Sequence, residues 1–326
     1  MPTAARTYWL TTPCRIRRKD NSLVIEREHG ANIHIPITDV KDIVAAVPVD
    51  VNSSVITLLN QHQVDVHFLS YYGDYAGSLI SADRQVSGHT VLAQARLADQ
   101  TDNRMPIARS LVSSCAFNVR RVVDRKLLER PYRTLVHAVE QAADRDELMG
   151  QEGNFRRTAW AVVDTKLPTW LQLAGRSRRP PANAGNAFIS YANGVTYSRV
   201  LTAIRLTPLH SGLGFLHSSV ERQRHALALD LAEVFKPLFA ERLLLRLASR
   251  NQLTPSHFDK DVNQAMLSDE GRKFVIQTIR DEFAITVQHR SLGRKVSYEE
   301  LMYLEALKLC RTCLEGETYK PFQIWW

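Results

Sequence analysis

The chain has 326 residues, 44% of them apolar, with 42 Lys and Arg against 34 Asp and Glu and only four cysteines. At roughly 100 to 200 residues per domain this length predicts two domains with cores of their own, and the composition excludes a disordered, collagen-like or disulfide-stapled chain. No apolar run reaches the roughly 18 to 20 residues of a membrane span; the best, at 243–245, is bounded by Arg242 and Arg246, and residues 1–12 lack the apolar core of a secretory signal. The expectation is a cytoplasmic protein with no membrane partner.

The first part of the chain reads as β. Residues 23–25, 33–37, 43–47 and 64–69 are short β-branched runs separated by turn-type stretches at 19–22 and 28–32. Asn52 or Ser53 is a good N-cap for a short helix carrying Val55, Ile56, Leu58 and Leu59 and ending near Gln61, and a last hairpin is expected across 71–80. After Ser87 and Gly88 the apolar period lengthens to that of helices, predicted near 89–99, 105–130, 132–143, 145–172, 184–206, 226–248, 268–287 and 297–314. The layout is α+β: a small N-terminal β domain over 1–88 and a larger all-α domain over 89–326, without repeats.

Charge follows this division. Residues 1–88 hold eight basic and nine acidic side chains, whereas the remainder holds 34 basic and 25 acidic, so the whole surplus of eight lies in the helical part. Arginine outnumbers lysine 32 to 10, and the guanidinium fork suits bidentate phosphate contacts. Cys310 and Cys313 form a C-x-x-C within a helix-patterned segment, but no second pair stands at zinc-site spacing. They read as helix-face residues, whereas Cys14 and Cys115 are isolated.

The chain carries no P-loop, dinucleotide fingerprint, nucleophile elbow or H-E-x-x-H motif. The candidate chemistry is dispersed. Glu152 lies between Gly150 and Gly153, which share a helix face and predict close approach by another element. His217 ends a stretch opened by Gly212 and Gly214. Asp230 and Glu233 are three residues apart, on one side of a predicted helix. Three carboxylates and one imidazole suit Mg2+ or Mn2+ better than zinc or copper, although a wet helix face and a core histidine are the bland readings of the same residues. Arginines surround the candidates: Arg156 and Arg157 follow Glu152, Arg176, Arg178 and Arg179 precede Pro180, and Arg222 and Arg224 lie between His217 and Asp230. A cation rimmed by guanidinium groups suggests phosphodiester chemistry, with these seven arginines as candidate phosphate contacts.

Residues 150–154 (GQEGN), 214–217 (GFLH) and 227–237 (LALDLAEVFKP) resemble the motifs of the CRISPR-associated endonuclease and integrase family Cas1. So do residues 17–23 (its opening hairpin), 66–69 with Gly73 and Gly77, 178–181 with Asn186, 270–273 and the terminal 319–326; the likeness runs in order along the whole chain. The resemblance implies a sandwich-like β domain, serving dimer and partner contacts, ahead of a helical catalytic domain. It also implies a homodimer that joins a Cas2 dimer in a heterohexameric integration complex, with double-stranded protospacer and CRISPR-repeat DNA as substrates. Carried over by position, Glu152, His217 and Glu233 match the ligands of Mg2+ or Mn2+, and Asp230 matches a further acidic residue of the catalytic site. Two other classes stay open: a non-catalytic DNA-binding scaffold and a hydrolase of small phosphate esters. Tyr191 and Tyr197 near Arg199 read as packing or stacking residues rather than nucleophiles.

Overall fold

In the computed structural model the described residues are 5–81, 87–178, 180–217, 225–261 and 264–326. The chain divides into two compact units, Met1–Gln85 and Val86–Trp326. Among the described residues no helix is long and apolar enough to cross a membrane.

The first unit is two four-stranded sheets and one helix. Its strands are β1 (Arg6–Leu10), β2 (Cys14–Lys19), β3 (Ser22–Arg27), β4 (Ile33–Pro36), β5 (Val40–Ala45), β6 (Val49–Asp50), β7 (Asp65–Leu69) and β8 (Tyr75–Leu79), with α1 (Ser53–Gln61) between β6 and β7. One sheet has the order β4-β3-β2-β6 and the other β1-β5-β7-β8. A single core joins them: Ile16, Leu23 and Ile35 from the first, Ile43, Ala45 and Val66 from the second, and Val55, Leu58 and Leu59 from α1. The alternation that marked these strands is therefore the alternation of a sheet with one buried face. Asn52 caps α1, its side chain accepting from Val55 N at 3.1 Å. The turn-rich start concealed β1 and most of β2 from periodicity; the hairpin of β2 and β3 came only from the resemblance.

The second unit is helical: α2 (Gly88–Asp99), α3 (Thr101–Val123), α4 (Glu129–Gln141), α5 (Arg145–Asp164), α6 (Ala184–Arg205), α7 (Ala226–Lys236), α8 (Arg242–Ser249), α9 (Asp269–Ala284) and α10 (Tyr298–Glu315). Two small antiparallel hairpins, β9 (Phe258–Asp261) with β10 (Gln264–Leu267) and β11 (Thr286–Gln288) with β12 (Lys295–Ser297), sit among them and were not foreseen. Several predicted helices are shorter than expected, each for a local reason. The helix expected over 105–130 stops at Val123, because the Asp124 carboxylate turns back to accept from Lys126 N and Leu127 N, both at 2.9 Å. The helix expected over 145–172 stops at Asp164, whose carboxylate accepts from Leu173 N at 2.7 Å and Ala174 N at 3.0 Å; Pro168 follows and cannot continue it. Between α7 and α8, Pro237 lacks the amide an α-helix needs, and Pro237–Glu241 forms a wider π-helical turn.

Helix α6 is buried along nearly its whole length. Helix α7 packs against both α3 and α6, and α3 also packs against α5. The candidate residues lie where α3, α5 and α7 meet.

Candidate metal centre

Glu152 projects from α5 and Glu233 from α7. A carboxylate oxygen of each, together with Sγ of Cys115 on α3, lies within 4.8 Å of the others. Cys115 is buried, while the two glutamates keep partial exposure, 14% at the Glu233 side chain. In the sequence Cys115 is only an isolated cysteine, and its place beside the carboxylates is not anticipated there. The signal available was thin, a polarisable side chain on the apolar face that Leu111, Val112 and Val119 also line.

The loop before α7 brings His217 towards this cluster, though not among those three donors. Asp230 holds it. Fully buried on α7, Asp230 accepts from Phe215 N at 2.5 Å, Leu216 N at 3.0 Å and His217 N at 2.8 Å. It also meets His217 Nδ1 at 2.8 Å. Because a carboxylate only accepts, Nδ1 carries the proton of the neutral ring, and the Nε2 lone pair is left without a partner among the described residues. The sequence reading placed Asp230 beside Glu233 as a further acidic group of the site; the structure commits it to the loop backbone and to the histidine's orientation. Gln94 of α2, unforeseen, pins the other end of the loop. Its Nε2 donates to His210 O at 3.0 Å and Leu213 O at 2.7 Å, and its Oε1 accepts from His210 N at 2.9 Å. Gly214 is required at the crossing: a Cβ there would lie 2.8 Å from that of Ala226.

The glycines beside Glu152 behave differently. A Cβ added at Gly150 or Gly153 would meet nothing within 4 Å, which corrects the expectation that they admit a packed neighbour. They face open space instead.

Charge is arranged asymmetrically. Burial and the charge of Glu233 raise the Glu152 carboxyl above its usual value, against the opposing charges of Arg156, Lys236 and His217. Burial also acts on Glu233, but the charges of Lys236, Arg156 and His217 and a hydrogen bond from Lys236 outweigh it and hold Glu233 low. For His217, burial opposes charging, yet its hydrogen bond to Asp230 and the charges of Asp230 and Glu233 raise its value overall. Burial pushes the Cys115 thiol well up.

These residues fit a divalent cation. Two carboxylates from different helices converge, one of them held in a proton-hungry state by the other, and a cation relieves both burial and repulsion. The hard oxygen donors suit Mg2+ or Mn2+, and an imidazole with its tautomer set by a carboxylate is a usual companion.

Of the seven candidate arginines, Arg156 and Arg176 serve the fold. The Arg156 guanidinium, 13% exposed, pairs with the buried Glu241 of the π-helical turn at 2.7 Å and lies 4.7 Å from the centre of the Trp160 ring. Arg176 donates to Asn186 Oδ1 and Ser190 Oγ, each at 2.9 Å. The buried Asn186 also donates to Leu173 O and Gly175 O and accepts from Ser177 N, which ties the preceding loop to the first turn of α6. Arg157 and Arg178 are exposed. Arg179, Arg222 and Arg224 lie outside the described residues. Tyr191 is buried and so is no accessible nucleophile, and Arg199 pairs with Glu299.

The C-terminal motif supports the site from behind. Asn118, one turn beyond Cys115, donates to Val234 O at 2.8 Å and Phe322 O at 3.0 Å and accepts from Ile324 N at 2.9 Å. Phe322 stacks on Phe235 with ring centres 4.9 Å apart. The tail is thus linked through Asn118 to Val234 and stacked on Phe235, the two residues that follow Glu233. Cys310 and Cys313 are buried and free.

The family described as "CRISPR associated protein Cas1" matches residues 7–281. The chain is 37% identical over 326 residues to CRISPR-associated endonuclease Cas1 3 of Thermodesulfovibrio yellowstonii, covering 98% of this chain and all of the relative. A solved CAS1 protein from Thermotoga maritima shares 30% identity at a TM-score of 0.87, covering 98% of this chain and all of that one. A casposase bound to integration product shares the fold at a TM-score of 0.85 with 16% identity, over 96% of this chain and 91% of that one.

Proposed function

The chain belongs to the CRISPR-associated protein Cas1 family, and from that premise we propose that it is a metal-dependent DNA endonuclease and integrase that inserts captured foreign DNA into a CRISPR array. The observation that carries this reading is the convergence of Glu152 and Glu233 from two helices within 4.8 Å, in a partly exposed site beside an anchored histidine.

Glu152, Glu233 and His217 Nε2 would hold the ion, Mg2+ or Mn2+. When bound, such an ion neutralises charge on the scissile phosphate and at the leaving oxygen. Glu233, held ionised by Lys236 and Arg156, offers a negative ligand without first losing a proton. Asp230 keeps the proton on His217 Nδ1 and so keeps Nε2 basic. A DNA 3'-hydroxyl or water attacks the phosphate in line, one P–O bond replaces another, and no covalent bond to the protein forms.

The partners follow from the family. Two copies of this chain form a dimer, and two such dimers flank a Cas2 dimer on protospacer and repeat DNA. The exposed Arg157 and Arg178 contact the DNA backbone, with Arg179, Arg222 and Arg224 as further contacts, which makes binding salt-dependent and tolerant of sequence. Residues 1–88 provide dimer and partner contacts. A non-catalytic scaffold would have no use for carboxylates brought together from two helices.

The test is strand transfer of a labelled protospacer into a leader-repeat plasmid, with the partner Cas2, in Mg2+, Mn2+ or EDTA. Integration products with either ion and none with EDTA are expected. DNA binding with no nicking or joining under any condition would reduce the protein to a scaffold.

A further inference from the structure

Cys115, among the described residues at the site, is chemically capable yet has no part in the proposed reaction. Its thiol is 2% exposed and has no hydrogen-bond partner among the described residues. Its electrostatic surroundings are polar: Arg156, Glu233, Glu152 and Glu241 all act on it. A cysteine kept only to fill apolar space would not need carboxylates around it, and alanine or valine would fill the same position.

We propose that Cys115 is a further protein donor to the cation held by Glu152 and Glu233, so that the site takes thiophilic divalent ions such as Zn2+ and Cd2+ in addition to hard ones. The inference rests on the reading of Glu152 and Glu233 as metal ligands. A zinc ion bound tetrahedrally to one sulfur and one carboxylate oxygen holds the two about 3.6 Å apart. The three donor atoms already stand within 4.8 Å of one another, so glutamate rotamer adjustments of about an ångström close the gap. Binding exchanges a proton for the metal: Cys115–SH and M2+ give Cys115–S–M+ and H+, which passes to solvent past the partly exposed carboxylates, with no change of oxidation state. Soft ions gain from the sulfur, whereas Mg2+ gains little from it. The site is thereby selective in a way that two carboxylates and an imidazole are not.

The test uses the full-length reduced protein. Cd2+ is titrated while the ultraviolet sulfur-to-cadmium charge-transfer absorption is followed, and Mn2+ binding is followed separately by electron paramagnetic resonance. Wild type should show the band at one Cd2+ per chain, as should the Cys14→Ser/Cys310→Ala/Cys313→Ala variant, in which Cys115 is the sole thiol. Cys115→Ala should lose the band and bind Cd2+ at least about tenfold more weakly, with Mn2+ affinity held within about twofold, because a hard ion gains little from sulfur. A band that survives in Cys115→Ala, or Cd2+ binding by the sole-thiol variant without a band, overturns the proposal. If Cys115→Ala does not fold, X-ray absorption of the sole-thiol variant loaded with Zn2+ decides: one sulfur at about 2.3 Å supports it and none refutes it. Glu152→Gln separates the layers. Unchanged Mn2+ binding there would remove the metal-site reading itself, whereas lost Mn2+ binding beside a sulfur-free Cd2+ site would remove only the role of Cys115.

Discussion

Asp230 Oδ1 lies 2.8 Å from His217 Nδ1 and 2.8 Å from the backbone N of the same residue. One buried carboxylate therefore fixes both where the histidine stands and which of its nitrogens carries the proton. An amide at this position keeps an acceptor but loses the charge and places an NH2 among amide donors. Asp230→Asn should cost about 1 to 3 kcal/mol of stability and speed hydrogen exchange at Phe215, Leu216 and His217, while Mn2+ affinity falls about 10- to 100-fold. Unaltered exchange at those three amides would show that the loop does not depend on Asp230.

The same pair sets a pH dependence. Burial alone would hold His217 neutral, but the hydrogen bond to Asp230 and the charges of Asp230 and Glu233 raise its value above the ordinary one. A proton and a cation compete for Nε2. Mn2+ affinity is accordingly full above the raised value and falls as pH drops through it, and Asp230→Asn moves that fall to lower pH. Binding isotherms between about pH 5 and 8 check this; an isotherm that does not change over that window in either protein would exclude His217 as a ligand.

Arg156 illustrates how a charged residue next to the site can serve the fold. Replacing it with methionine leaves Glu241, 1% exposed, without its partner, which should cost about 3 to 5 kcal/mol. Adding Glu241→Leu should recover most of that loss. Denaturant midpoints of the single and double variants test the pair. If Arg156 were a DNA contact instead, the single variant would keep its stability and lose DNA affinity.

Gly150 and Gly153 on α5 face open space. Alanine at either should stabilise α5 by about 0.5 to 1 kcal/mol. Thermal melting measures the effect, and a drop in stability would mean that another element does pack there.

Periodicity exposed the division into a β unit and a helical unit because one-faced strands and amphipathic helices write their burial into the residue order. It overran α3 and α5, since the stops are made by single aspartates, Asp124 and Asp164, folding back on later amides. Glu152 and Glu233 were visible as carboxylates in unusual settings and became specific through motif resemblance. The partners that organise them were not: Gln94 is 116 residues from His210, and Asn118 is over 200 from the tail it binds. A buried amide reads as an ordinary polar residue until its distant carbonyls are known. Cys115 stayed hidden for the same reason, because nothing in its own neighbourhood of sequence announces Glu152 and Glu233.

The most direct test of the central claim is strand transfer by Glu152→Ala, measured beside its affinity for protospacer DNA. Integration should fall at least about a hundredfold, since the ion's charge stabilisation is worth several kcal/mol, with DNA affinity nearly unchanged. Wild-type integration by Glu152→Ala in the presence of Mg2+ or Mn2+ would contradict it.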